Sequence, residues 1–172
     1  MKSSTCERAS MIEIITKAPA ECTEDELRLF CSLVLTEGQV NPDTLSANVR
    51  RADWLGFAYI GNDLAATAAI KNAHASYREK VTQKSGSPVE LADIPHEFGY
   101  VVVAPEHRSK GLSGALASAL LEADDGSIFA TSTTENHRMH RALEHLGFKK
   151  SGNPYRSTEH PDEEIALFIL TR

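Results

Sequence analysis

The chain has 172 residues, 41% of them hydrophobic and 24% charged, and 18 Lys and Arg against 24 Asp and Glu give a formal charge of −6. That length suits one domain with a sizeable core, and the apolar share argues against disorder. The acidic balance argues against non-specific binding to nucleic acid or to an anionic membrane, and no window approaches the roughly 18 apolar residues of a membrane span.

The opening MKSSTCERAS is polar and unpatterned, without the apolar stretch of a signal peptide, so residues 1–10 read as a flexible tail and the expected location is the cytoplasm. Cys6, Cys22 and Cys31 are odd in number and form no CxxC pair, which reads as free thiols in a reducing compartment. Residues 11–172 are expected to fold as a single domain. Ile12, Ile14 and Ile15 suggest a short strand. Thr23 and Glu26 form a capping-box signature before Leu27, Phe30, Cys31 and Val34, which are apolar at helical spacing. Asn41, Pro42 and Asp43 supply a cap, a first-turn proline and an early acid, so a second helix should run to about Ala52.

From Trp54 the period becomes that of strands. Trp54 to Ile60, the turn at Gly61, Asn62 and Asp63, and Leu64 to Ile70 read as a hairpin. Residues 71–96 are polar and mixed, with a short helix near Tyr77 to Gln83, and their length suggests a lid or insertion. Phe98 to Ala104 is a near-continuous apolar run, the signature of a buried strand, with Gly99 as a candidate bulge. Leu112, Ala115, Leu116, Ala119 and Leu120 place one stripe on a helix. A strand from Ser127 to Ser132 follows, then a helix through Met139, Ala142, Leu143 and Leu146 that stops at Gly147. Strands at Phe148 to Ser151 and Ile165 to Leu170 complete a mixed α/β order.

The chemistry concentrates after the buried strand, where Pro105, Glu106, His107, Arg108, Ser109, Lys110 and Gly111 lead into a helix that contains Ser113 and Gly114. A helix N-terminus presents unpaired N–H groups and the positive end of the macrodipole. Small residues there let the backbone approach an anion, and Arg108 and Lys110 add charge, so the segment reads as a pyrophosphate seat. It is neither GxxxxGK[ST] nor GxGxxG, which disfavours a nucleotide-binding switch.

Val103 to Leu116 resembles the acetyl-CoA-binding motif of the GNAT acetyltransferase superfamily, an Arg or Gln, two residues, Gly, one residue, then Gly or Ala. Asn136 to Phe148, running from an Asn to a terminal Gly-Phe, is similar to a later helix of the same superfamily. The resemblance covers residues 12 to 170 and implies a GNAT fold: a mixed central sheet of about six to seven strands, helices on both faces, and a splayed strand pair at the cofactor site. It implies acetyl transfer from acetyl-CoA to a primary amine of a small-molecule or peptide acceptor by direct attack on the thioester. It also implies cofactor-binding roles for Val101 and Val103 (pantetheine and thioester), for Arg108, Ser109, Lys110, Gly111, Leu112, Ser113 and Gly114 (pyrophosphate), and for Asn136 (cofactor arm). A backbone N–H near Val103 would stabilise the developing oxyanion. A homodimer is compatible with the family, although no apolar stripe here is clearly surplus to the chain's own core.

Two departures matter. Ser113 stands where the motif has Gly or Ala. Leu143 stands where many of these enzymes carry the Tyr that protonates the departing thiolate. His140, Tyr100, Ser132 or water would have to replace it, or a thiolate of pKa about 8.5 leaves unassisted. Glu97, at the start of the central strand, is the expected general base, with His96 as its alternate. Leu143 also supports a competing reading, a non-catalytic acyl-CoA-binding or regulatory module. Glu37, between the first two helices, lies where acceptor-binding residues often fall in such a fold. Tyr77 and Arg78, and Tyr155 and Arg156, are candidates to wall an acceptor pocket. His137, His140 and His145 do not share one helical face, and HExxH is absent, so no metal site is expected.

Overall fold

A computed structural model describes residues 11–172; the expected tail at 1–10 and Cys6 lie outside the described residues. In chain order the elements are β1 (Ile12–Lys17), α1 (Glu24–Leu35), α2 (Pro42–Arg51), β2 (Trp54–Ile60), β3 (Asp63–Asn72), α3 (Ala75–Ser85), β4 (His96–Val103), α4 (Leu112–Ala123), β5 (Ile128–Thr133), α5 (His137–His145), β6 (Lys149–Arg156) and β7 (Glu164–Leu170). Seven strands of mixed direction and five α-helices among the described residues match the expected mixed α/β class. Contacts group the chain into two compact units, one reaching Lys71 and including Tyr100–Asp124, the other comprising Asn72–Gly99 and Asp125–Arg172. The chain passes between them at the end of β3, inside β4 and after α4.

In the first unit β1, β2 and β3 are antiparallel neighbours, from Ile12↔Ile60 to Lys17↔Leu55 and from Trp54↔Ile70 to Ile60↔Asp63. Alternation along β2 separates two packing faces. Leu55 and Phe57 join Phe30, Val34, Leu45 and Val49 from α1 and α2 in one core cluster. Gly56 points the other way, and a Cβ there would come within 3.1 Å of Leu116 and 3.2 Å of Leu120, so α4 lies close over β2. The caps form as the sequence predicts. Thr23 Oγ1 accepts from Glu26 N–H at 3.1 Å, Glu26 Oε2 accepts from Thr23 N–H at 2.8 Å, and Asn41 Oδ1 accepts from Asp43 N–H at 2.9 Å.

In the second unit β4 pairs β5 in parallel at His96↔Ile128 and Glu97↔Phe129, at the start of both strands. β5 pairs antiparallel with β7, and β7 with β6. Residues 71–96, expected as a lid or insertion, carry the longer helix α3 and contribute to a core. Ala73, Val81, Leu91 and Ile94 are buried with Phe129, Leu167 and Ile169. On the opposite face of β7, Phe168 meets the His140 ring of α5 at 4.9 Å. β6 changes register between Ser151 and Tyr155. Its Gly152 (φ +68°) lies so close to the end of α3 that a Cβ would sit 2.4 Å from Ser85 O.

Candidate active site

The first unit holds the predicted anion seat. β4 ends at Val103, a 3-10 turn spans Pro105–His107, and α4 starts after Gly111, whose φ of +73° is a left-handed conformation suited to glycine. Ser109 is also left-handed, at φ 64°. Gly111 offers no side-chain cap, the first turn of α4 carries no acid, and the first helical bond described there is Ala115 N–H to Gly111 O at 3.1 Å. The amides of Leu112, Ser113 and Gly114 therefore precede the helical ladder. Leu112 is buried, and its side chain anchors the turn. A Cβ at Gly111 or Gly114 would meet no atom within 4 Å, so the surface beside the amides is open. These residues fit a pyrophosphate.

Arg108 and Lys110 are exposed on the same loop. Lys110 Nζ lies 3.3 Å from His107 Nδ1, and Arg108 Nη2 lies 3.6 Å from Glu37 Oε1. The sequence named Glu37 and Arg108 separately, and the structure brings them together as a solvent-facing ion pair. Val102 is buried while Val101 and Val103 are half-buried. The irregularity expected at Gly99 falls on the next residue, because Tyr100 has φ 52°. Its carbonyl accepts from Thr67 Oγ1 at 2.9 Å, its ring meets Phe30 edge-on at 6.3 Å, and Lys71 Nζ lies 4.6 Å from the ring centroid. Packing on a central residue thus overrides a backbone preference of about 1–2 kcal/mol. Ala104 N–H donates to Ala65 O at 2.8 Å, fixing the end of β4 against β3.

The second unit holds the predicted base. β4 starts two residues earlier than the apolar run suggests, which puts Glu97 inside the strand at 4% exposure. Tyr77 of α3 donates to Glu97 Oε1 at 3.3 Å, Thr131 of β5 lies 3.5 Å from the same oxygen, and the two hydroxyls are 3.4 Å apart. Tyr77 is 36% exposed as a residue, its ring lies 6.4 Å from that of Phe129, and its hydroxyl reaches Glu97. Desolvation, then the nearby Glu97 charge, pushes the Tyr77 phenol well above its usual value. The same two causes push Tyr155 of β6 up to about 12. Neither tyrosine ionises near neutral pH. Arg78, expected as a pocket wall, is instead committed to backbone. Its guanidinium donates to the carbonyls of Ala73 at 3.3 Å, Leu91 at 2.9 Å and Ala92.

Asn136 caps α5, its Oδ1 accepting from Met139 N–H at 3.1 Å, which leaves its Nδ2 donor outside the cap. His140 is 7% exposed, and its Nε2 lies 2.9 Å from Thr133 O. That carbonyl only accepts, so Nε2 carries the proton and, in the neutral ring, Nδ1 does not. Leu143 is 1% exposed and belongs to the core. Among the described residues no group of three or more His, Cys, Asp or Glu is placed to hold a metal ion, and no helix is long and apolar enough to cross a membrane.

Comparisons with known sequences and structures bear on the family and the fold. No curated protein matches the chain. A GNAT-family acetyltransferase from Streptococcus agalactiae 2603 is 16% identical, with 92% of this chain and 95% of that chain covered at a TM-score of 0.67. The yncA protein of Salmonella typhimurium, solved with its cofactor acetyl-CoA, is 16% identical, with 94% of each chain covered and a TM-score of 0.62. Arabidopsis thaliana NAA60, solved with a bisubstrate analogue, is 12% identical, with 92% and 97% covered and a TM-score of 0.63. At these identities the likeness is one of fold. The sequence model described as the acetyltransferase (GNAT) family matches residues 37–148, more than half of the chain and inclusive of the anion seat, Glu97 and α5. This protein belongs to the acetyltransferase (GNAT) family.

Proposed function

We propose that the protein transfers an acetyl group from acetyl-CoA to a primary amine of a small molecule or peptide. The observation that carries the donor is the start of α4, where amides ahead of the helical ladder, two cations and the open space at Gly111 and Gly114 together suit a pyrophosphate. Bound acetyl-CoA supplies a thioester carbonyl for the amine to attack. Arg108, Ser109, Lys110, Gly111, Leu112, Ser113 and Gly114 hold the pyrophosphate, the backbone of Val101 and Val103 holds the pantetheine arm, and Asn136 contributes its Nδ2 donor.

Glu97 is the general base. As the N–C bond forms and the C–S bond breaks, the ammonium proton passes to its carboxylate, directly or through water, and the thiolate leaves without an enzyme acid. Leu143 has no proton to give. His140, expected as a candidate acid, is given no proton-transfer role in this mechanism, because its Nε2 proton is engaged by the Thr133 carbonyl.

The test is thiol release from acetyl-CoA against a polyamine, an aminoglycoside, a lysine-containing peptide and a peptide with a free N-terminus. Amine-dependent release is expected, falling about 100-fold or more in Glu97→Gln with coenzyme A affinity within twofold of wild type. Tight coenzyme A binding without release from any amine would favour the non-catalytic module that Leu143 suggests. Full activity of Glu97→Gln across about pH 6–9 would remove Glu97 from the mechanism.

A further inference from the structure

The donor-binding residues leave α3 without a function, yet α3 delivers a hydroxyl to the carboxylate assigned as the base. We infer that Tyr77, together with Thr131, positions Glu97 and lets its carboxylate change protonation state without losing its hydrogen bonds, an inference that rests on Glu97 being the base.

A carboxylate that is 4% exposed needs partners in both of its forms. Three oxygens, Tyr77 Oη, Thr131 Oγ1 and Glu97 Oε1, form a triangle with edges of 3.3, 3.4 and 3.5 Å. When Glu97 is ionised, both hydroxyls can donate to Oε1. When Oε1 carries the proton it becomes a donor. The two hydroxyls then rotate so that each oxygen gives one hydrogen and accepts one around the ring. Every edge is longer than the usual O–H···O distance of about 2.7–2.8 Å, so each bond of the triangle is a weak one.

The groups around the carboxylate suit this task. From α3 comes Tyr77, its ring held on Phe129 at 6.4 Å so that the phenol does not swing away. From β5 comes Thr131, which does not titrate. From β6 comes Tyr155, kept as a neutral phenol, and His96 neighbours Glu97 on β4 itself. The tyrosines that face Glu97 are neutral across the working range, so neither competes with it as an anion. The triangle requires Tyr77.

Tyr77→Phe removes the hydroxyl and keeps the ring. The readout is the carboxyl carbon resonance of Glu97, identified by its loss in Glu97→Gln and titrated in the free full-length protein. In Tyr77→Phe the midpoint should move up, because the ionised form loses a donor. The acid limb of amine-dependent thiol release should move the same way, with coenzyme A affinity unchanged. Thr131→Val is the second variant, expected to shift the midpoint upward by less, and it decides the matter if Tyr77→Phe does not fold. Wild-type midpoints in both variants would mean that Tyr77 only packs, and would overturn the inference. Full turnover in Glu97→Gln would instead remove the base itself, and the inference with it, whatever the resonance does.

Discussion

Replacing Gly152 with alanine tests how the two elements that carry the tyrosines are held together. Gly152 sits on β6 three residues before Tyr155, at φ +68°, and a Cβ there would lie 2.4 Å from Ser85 O, 2.9 Å from Ser87 N and 3.0 Å from Ser85 C. These are backbone atoms at the end of α3, where Ser87 Oγ and Ser151 Oγ also share a hydrogen bond of 2.6 Å. The left-handed conformation costs a non-glycine residue about 1–2 kcal/mol. The contact adds an overpacking cost of about 1–3 kcal/mol. Together these predict a loss of about 2–5 kcal/mol, or a fall in Tm of about 4–20 °C for a chain of this size. Gly86→Ala is the control, because Gly86 has φ +61° but an added Cβ would meet nothing within 4 Å. It should show the conformational cost alone. Urea and thermal unfolding of both variants separate the two effects. If Gly152→Ala and Gly86→Ala agree within about 0.5 kcal/mol, the close approach of β6 to α3 is refuted.

Gly114→Ala should separate stability from binding. It replaces a glycine in the first turn of α4 with a better helix former, so unfolding should become harder by about 0.5–1 kcal/mol. The new methyl group would stand where the backbone meets a phosphate, so calorimetric titration should find coenzyme A affinity reduced at least about tenfold; unchanged affinity would place the pyrophosphate elsewhere. Tyr155 predicts a pH effect. Folding holds its phenol neutral, with a value raised to about 12. That contribution is fully present below the ordinary phenol value and is lost as pH rises through the folded one. Stability should therefore fall between about pH 10 and 12, and Tyr155→Phe should flatten the fall seen in denaturation midpoints; an equally steep fall in the variant would assign the loss to other groups.

What was legible in the sequence is local. The capping box at Thr23 and Glu26, the proline-started α2, the hairpin and the basic loop before α4 each follow from neighbours within a few residues, whose hydrogen bonds and periodicity are set by their own side chains. What was not legible depends on distant partners. Tyr77 and Glu97 are twenty positions apart and meet Thr131 from a third element, so no spacing rule connects them. Tyr100, rather than Gly99, takes the left-handed conformation because Phe30, Thr67 and Lys71 hold it there. Arg78 was a candidate pocket wall because it lies in the long insertion, whereas three backbone carbonyls claim it. The close approach of Gly152 on β6 to the end of α3 was hidden because the two lie far apart in the chain. Gly111 was legible as a glycine at a helix start, and its open side was not.

The central claim is that the start of α4 binds the donor from which an amine is acetylated. Isothermal titration of the purified protein with acetyl-CoA and with coenzyme A, in low and high salt, tests it most directly. Stoichiometric binding of both is predicted, weakening as salt screens Arg108 and Lys110 and lost in Gly114→Leu, whose side chain meets no protein atom near its Cβ. Absence of heat with either ligand, or binding indifferent to Gly114→Leu, would contradict it.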